Sequence, residues 1–240
     1  MRYSDTEIFH EKIYSAAWYS KHSTIYGDDT QLDRSVIILA GGFSSRFGQD
    51  KGLLPLANRP LVRHVLERID HISDEILIVV SSDTQAAKYS KVTDSGATIV
   101  LDEQQMQTPL AGAFTGFKEA HGKYSVLLPC DTPLVNKDVL LLLFDLCINK
   151  NAAVPRWPNG YTEPLQAVYC TKVALEAARA ALCEGSMNVQ SMLDRLRAVR
   201  YVSTLVLEQI DPDFRTFFNI NTPLELKKAE MMLKNPVRAN

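Results

Sequence analysis

Residues 35–51 read Ser-Val-Ile-Ile-Leu-Ala-Gly-Gly-Phe-Ser-Ser-Arg-Phe-Gly-Gln-Asp-Lys. The apolar run 36–40 lacks the in-out alternation of a half-exposed strand and predicts a strand covered on both faces. The loop behind it carries two adjacent glycines and two serines. At the C-terminal end of a parallel strand such a loop can turn several backbone N–H groups inward around phosphate oxygens, and Arg46 and Lys51 add full positive charges to those dipoles. Gly41, Gly42 and Gly48 do not have G-x-G-x-x-G spacing, and Gly52 rather than Ser or Thr follows Lys51. Both the dinucleotide fingerprint and the P-loop are therefore excluded. The plain alternative is a glycine-rich turn with solvated charges, and the two added cations weigh against it.

Outward from this stretch the same rhythm repeats. Residues 76–80, 98–101 and 126–128 are short apolar runs of the same buried type. Between them, Pro60 stands at a first helical turn with Leu61, Val62, Val65, Leu66 and Ile69 on one face. A helix is predicted over 109–121 with Gly122 as its stop, and another over 137–148 with Asn136 as cap. Strand and helix alternating at these lengths specify an α/β fold: an open, mostly parallel sheet with helices on both faces. The second half predicts a turn-rich stretch at 155–160, a strand at 165–170, a helix at 171–183, and strands at 199–202 and 217–220. Thr222, Pro223 and Glu225 form a capping box that opens a last helix to about residue 234. Residues 1–34 stand apart as an N-terminal extension before a domain spanning 35–240. Ile8, Phe9, Ile13, Ala16 and Ala17 recur at helical intervals, which predicts a short amphipathic helix and a linker, either packed on the main domain or docking another protein.

The 240 residues fit one large α/β domain with an appendage, and 46% hydrophobic against 22% charged residues excludes a disordered chain. With 26 basic and 28 acidic side chains the formal charge is -2, so no overall field draws the protein to nucleic acid or to a membrane surface. Cys130, Cys147, Cys170 and Cys183 are irregularly spaced with no C-x-x-C pair, as expected of reduced thiols. The richest apolar run, 139–144, stops at Asp145, far short of the roughly 20 residues a membrane helix needs. The acidic N-terminus lacks the features of a secretory or transit signal, so the expected location is the cytoplasm.

Three further segments carry candidate chemistry. Pro129-Cys130-Asp131-Thr132-Pro133 follows a buried run and presents a carboxylate between two prolines, suited to a hard Mg²⁺ ion; an Asx-turn is the structural alternative. Cys130 reads as a packing residue. Asp102 ends the third strand, where it can accept hydrogen bonds from the N–H and amine edge of guanine or simply form a turn. Phe218-Asn219-Ile220-Asn221-Thr222-Pro223 places two asparagines before a helix. Asn221 can complete the magnesium shell through its amide oxygen, or with Thr222 organise the helix N-terminus.

With these motifs assembled, the chain resembles the molybdenum cofactor guanylyltransferase family, nucleotidyltransferases with a Rossmann-like, three-layer fold of the nucleotide-diphospho-sugar transferase type. Residues 39–51 match its LAGGxSSRMGxDK loop, 129–133 its PCDTP segment and 219–223 its NxNTP segment, within a similarity running from about 35 to 234. Phe47 replaces the usual methionine, Thr108 the first glycine of a GPLAG segment, and Ser81 an asparagine that some members use for the nucleotide. The resemblance implies that Leu39, Ala40, Gly41 and Gly42 contact the nucleotide, Lys51 and Arg46 its phosphates, Asp102 the guanine and Asp131 the Mg²⁺. It also implies that Glu163-Pro164-Leu165-Gln166 lies near the acceptor. The implied reaction joins GMP from GTP to molybdopterin or molybdenum cofactor with release of pyrophosphate. Rival readings are a cytidylyltransferase on the same pterin, another small-phosphate nucleotidyltransferase, and a non-enzymatic adaptor for molybdoenzymes or pathway proteins.

Overall fold

The computed structural model describes residues 33–234, apart from residues 41, 42, 45–48, 94, 95, 103 and 105–107. The predicted N-terminal helix lies outside the described residues. Arg34–Leu39 forms β1, and two short antiparallel pairs follow it: β2 (Phe43–Ser44) with β3 (Gln49–Asp50), and β4 (Pro55–Leu56) with β5 (Arg59–Pro60). The remaining strands are β6 (Glu75–Val80), β7 (Thr98–Leu101), β8 (Tyr124–Pro129), β9 (Ala152–Arg156), β10 (Ala167–Cys170) and β11 (Val199–Ser203). The helices are α1 (Leu61–Arg68), α2 (Asp83–Tyr89), α3 (Pro109–Glu119), α4 (Lys137–Cys147), α5 (Thr171–Cys183), α6 (Val189–Leu193), α7 (Thr204–Leu207) and α8 (Pro223–Lys234).

Seven strands make the central sheet in the order β11-β9-β10-β8-β1-β6-β7. All neighbours pair in parallel except β10, which runs antiparallel to both β8 and β9. The uninterrupted apolar runs have a direct cause. Val36 and Ile38 of β1 pack with Val126 and Leu128 of β8 against residues of α1 and α4, while Ile37 joins Leu77, Val79 and Leu127 against α3 and α5. Both faces of the sheet are core, so neither set of alternate positions can be polar. Helix α3 comes close enough that a Cβ at Gly116 would lie 2.3 Å from Ile37 Cγ2, which is why small residues recur along it.

Helices α6 and α7 and the start of β9 are not in the sequence reading, and four other departures have a local physical reason. Residues 217–220 form no strand. Asp211 accepts from the backbone N–H groups of Arg215 and Thr216, at 3.0 and 2.8 Å, and folds the chain into a 3-10 turn over Arg215–Phe217. Beyond it, the neighbouring strand β8 is already flanked by β1 and β10. Residues 155 and 156 belong to β9 rather than to a turn; Pro155 is tolerated because the β10 ladder has ended before it, and its carbonyl accepts from Glu163 N–H at 3.0 Å. Helix α2 was not predicted, although Ser82 caps it by accepting from Gln85 N–H at 3.2 Å. Helix α3 ends at Glu119, and Gly122 serves a close approach instead of a helix stop: a Cβ there would lie 2.7 Å from Ser35 N.

That approach is organised by one carboxylate at the N-terminal end of the sheet. Glu75 accepts from Ser35 Oγ, His121 N–H, Gly122 N–H and His121 Nδ1. Burial raises its pKa, but these hydrogen bonds outweigh burial and hold the carboxyl below the ordinary glutamate range. Because the folded-state pKa is depressed, the stabilisation is complete above the unfolded value and is lost as pH falls through the folded one. Glu75→Gln is expected to cost about 1–3 kcal/mol at neutral pH. In thermal unfolding, the gap in Tm between wild type and variant should narrow from about pH 5 downward; a gap that does not change with pH would remove Glu75 from this role.

Candidate active site

Parallel strands end together, and the loops leaving their C-terminal ends enclose a cleft of about 480 Å³. Leu39, Lys51, Ser81, Asp102, Asp131 and Asn221, all named from the sequence, line it together, as do Glu163, Pro164, Leu165 and Gln166. Ala40 is fully buried, its N–H donating to Val79 O at 2.8 Å and its carbonyl accepting from Gln85 Nε2 at 2.6 Å. Gly41, Gly42 and Arg46 lie outside the described residues.

Lys51 stands at the centre. Its Nζ donates to Asp131 Oδ2 at 2.9 Å and to Asn221 Oδ1 at 2.5 Å. Asp131 is only 8% exposed, and its side chain is spent on this ion pair rather than on an Asx-turn. The turn is closed instead by Thr132 Oγ1, which donates to Pro129 O at 3.0 Å, while Ile220 N–H donates to Asp131 O at 3.0 Å. That last bond draws the segment before α8 against the end of β8. Of its two readings Asn221 shows the helix-organising one: its N–H donates to Glu225 Oε2 at 2.7 Å while Thr222 Oγ1 caps Glu225 N–H at 3.2 Å, and its side chain faces Lys51.

The placement of Lys51 rests on residues that the sequence reading did not assign. Asp50 Oδ1 accepts from Gly52 N–H at 3.0 Å, capping the 3-10 turn Lys51–Leu53, and from Tyr89 Oη at 2.8 Å. Its other oxygen accepts from Gln85 Nε2, whose amide oxygen takes Ser81 N–H at 2.7 Å. Gln85 and Tyr89 lie on α2, so missing that helix meant missing both; the Ser82-Asp83 start was the available signal. Burial, with Cys130 and Asp50 alongside, drives the Tyr89 hydroxyl far above its ordinary pKa, so it remains a donor. Burial and the neighbouring Asp131 likewise raise the Cys130 thiol, which fits a packing role.

Asp102 follows β7. Its Oδ1 accepts from Gln104 N–H at 3.1 Å and Thr115 Oγ1 at 2.7 Å, so it both forms the local turn and is held rigid, with Oδ2 free of protein donors among the described residues. A magnesium ion is compatible with the donor set: Asp131 and Asn221 present hard oxygens converging on the point that Lys51 Nζ occupies. Mg²⁺ is commonly held by one or two carboxylates, waters and substrate phosphates. Among the described residues, no group of three or more His, Cys, Asp and Glu side chains forms a denser cage.

The family model described as the MobA-like NTP transferase domain matches residues 36–199, a range holding the loop after β1, Asp102 and Asp131. The chain belongs to this family. A Methanosarcina mazei protein named probable molybdenum cofactor guanylyltransferase is 32% identical over 199 residues, 81% of this chain and 88% of its own length. The molybdenum cofactor guanylyltransferase of Desulfosudis oleivorans is 32% identical over 82% of this chain and 95% of its own. Among solved structures, molybdopterin-guanine dinucleotide biosynthesis protein A of Archaeoglobus fulgidus is similar with a TM-score of 0.72 at 28% identity, covering 84% of this chain and all of that one. A 4-diphosphocytidyl-2C-methyl-D-erythritol synthase of Anaerococcus prevotii, at 14% identity and TM-score 0.64, shares the fold alone. The protein is thus a nucleotidyltransferase of Rossmann-like fold, within the molybdenum cofactor guanylyltransferase family. No helix among the described residues is long and apolar enough to cross a membrane.

Gly52 tests the support under Lys51. A Cβ there would lie 2.0 Å from Tyr89 Oη and 3.0 Å from Tyr89 Cζ, and Tyr89 is fully buried. Gly52→Ala should destabilise by about 1–3 kcal/mol through overpacking. In a Tyr89→Phe background the clashing oxygen is gone, so the same substitution should cost less by about 0.5–3 kcal/mol of coupling energy. Denaturant unfolding of the four proteins measures this, and equal costs in both backgrounds would contradict the close approach.

Proposed function

We propose that this nucleotidyltransferase moves GMP from GTP to the terminal phosphate of molybdopterin, with or without its molybdenum, in a magnesium-dependent reaction that releases pyrophosphate. The observation that carries the reading is the convergence of Lys51 Nζ, Asp131 and Asn221 at one point of a cleft that also holds Asp102. The names of the relatives support the same substrates.

The chemistry asks little of a base. A phosphate monoester has a second pKa near ~6, so the acceptor arrives largely as a dianion, ready to attack the α-phosphorus. What the protein must supply is the alignment of two polyanions. Lys51 would bind phosphate oxygens and stabilise the charge that gathers on the leaving pyrophosphate, aided by Arg46 and the backbone N–H groups of the loop after β1. Asp131 and Asn221 would hold Mg²⁺, which supplies further neutralisation of the phosphates when bound. Asp102 would accept from guanine N1–H and the exocyclic amine. Cytosine offers one amine beside two acceptors on that edge, and adenine one amine beside a ring acceptor, so a carboxylate there favours GTP.

Pyrophosphate release from each nucleoside triphosphate, with Mg²⁺ and molybdopterin supplied, is the direct experiment; turnover with CTP but not GTP would overturn the reading. Asp131→Asn should nearly abolish turnover while the fold is kept, because an amide cannot neutralise the cations beside it. Lys51→Ala should lower kcat by roughly 10²–10³, the scale for removing one preorganised electrostatic group. Asp102→Ala should reduce the GTP-over-ATP ratio of kcat/KM by the equivalent of about 2–4 kcal/mol, and an unchanged ratio would place base recognition elsewhere.

A further inference from the structure

Asp102 and Glu163 line the same cleft from different strands of the sheet. Asp102 follows β7 at one edge. Glu163 lies between β9 and β10, on the far side of β8 and its Asp131. From β7 to β10 there are four strand steps, about 19 Å at the usual inter-strand spacing. The cleft therefore continues past the Lys51–Asp131 centre to a side remote from Asp102.

That side is built to present a carboxylate. Glu163 N–H donates to Pro155 O at 3.0 Å, and Gln166 N–H donates to Glu163 O at 3.2 Å, which fixes the backbone on both sides. Trp157 Nε1 donates to Glu163 Oε1 at 2.7 Å. The Trp157 ring is itself anchored against Phe214 and Phe217, with centroids 5.0 and 5.8 Å away. One carboxylate oxygen is thus tied down, and Oε2 has no donor among the described residues. Burial raises the Glu163 pKa against the opposing effect of the Trp157 bond, a mark of a charged form short of partners. Beside it, the loop closed by Trp157 N–H on Tyr161 O at 2.8 Å holds out the Tyr161 ring, 64% exposed and also lining the cleft.

A half-buried carboxylate with one free oxygen, next to an exposed aromatic ring, suits a planar heterocycle that presents N–H and NH₂ donors along one edge. A pterin has that edge: its 2-amino-4-oxo ring carries the donor pattern of guanine. We infer that Glu163 is the specificity-determining residue for the acceptor, accepting from the N3–H and 2-amino group of the pterin while Tyr161 stacks on its ring and Trp157 holds the carboxylate in place. The inference rests on the proposed reaction for the identity of the acceptor. Its geometry gives the two substrates, alike in hydrogen-bonding edge, one carboxylate each on either side of the phosphates.

The test measures KM for molybdopterin and for GTP in wild type, Glu163→Gln and Tyr161→Ala, with fluorescence titration of each protein by a simple pterin and by its 2-deamino analogue. Glu163→Gln should raise the acceptor KM at least 10-fold and leave the GTP KM within about twofold, the range for losing a charge-assisted contact at one substrate only. It should weaken the pterin at least 10-fold and the deamino analogue by clearly less, since that analogue keeps N3–H but lacks the 2-amino donor. Tyr161→Ala, a change at an exposed side chain, should weaken both pteridines alike and keeps the test alive should Glu163→Gln fold poorly. An unchanged acceptor KM, a rise confined to GTP, or failure of wild type to bind pterin overturns the inference. If wild type binds pterin as described yet transfers no GMP to molybdopterin, the proposed reaction falls while Glu163 keeps its ligand.

Discussion

A single ammonium group joins segments that are far apart in the chain. Lys51 reaches Asp131, 80 residues on, and Asn221, 170 residues on, so the loop after β1, the end of β8 and the start of α8 meet at one nitrogen. The pair is largely withdrawn from solvent, with side-chain exposures of 23% for Lys51 and 11% for Asp131. A charge placed there without its partner would be costly, because removing one member of a buried pair strands the other. In the proposed reaction the same arrangement would serve the chemistry, since oxygens that neutralise a lysine can neutralise a divalent cation and the lysine between them would meet the phosphates. The contacts that hold the segment before α8 against the sheet are therefore also contacts of the site.

Around that nitrogen the protein builds stiffness. Asp50 caps the turn that carries Lys51 while gathering Tyr89 and Gln85, and Gln85 reaches on to Ala40 O and Ser81. The loop after β1, the turn of Lys51 and helix α2 are thus joined through one carboxylate. Closely packed, fully bonded polar groups of this kind hold a side chain to one geometry. Electrostatic catalysis depends on that, because its advantage over water lies in dipoles that need not reorganise. At the opposite end of the sheet Glu75 plays a similar joining role, tying Ser35 of β1 to the turn before β8 through its hydrogen bonds.

Two kinds of signal made much of this protein legible in its sequence. Buried strands in a parallel sheet must be apolar at successive positions, so residues 36–40, 76–80, 98–101 and 126–128 announced the sheet, and Lys51, Asp102 and Asp131 could be assigned to its ends because loop chemistry is local. Other features were hidden because they depend on partners distant in sequence. Residues 217–220 looked like a strand, yet strand formation needs an open neighbour, and β8 had none to offer. Pro155 looked like a turn, yet a proline is harmless where the adjoining ladder has stopped.

The sequence by itself thus determined the layer architecture and the placing of Lys51, Asp102 and Asp131 at the strand ends, since each follows from short-range pattern and residue chemistry. Only the tertiary structure decided that Asn221 rather than Asn219 faces Lys51, that Asn219 instead accepts from Gln166 Nε2 at 3.2 Å, and that Asp50, Tyr89 and Gln85 form one support beneath the site. It also decided that Trp157 anchors Glu163 on the far side of the cleft. The physical reason is common to all of these: a hydrogen bond fixes the distance between two groups whatever the length of chain between them, and no periodicity in the sequence records which groups will meet.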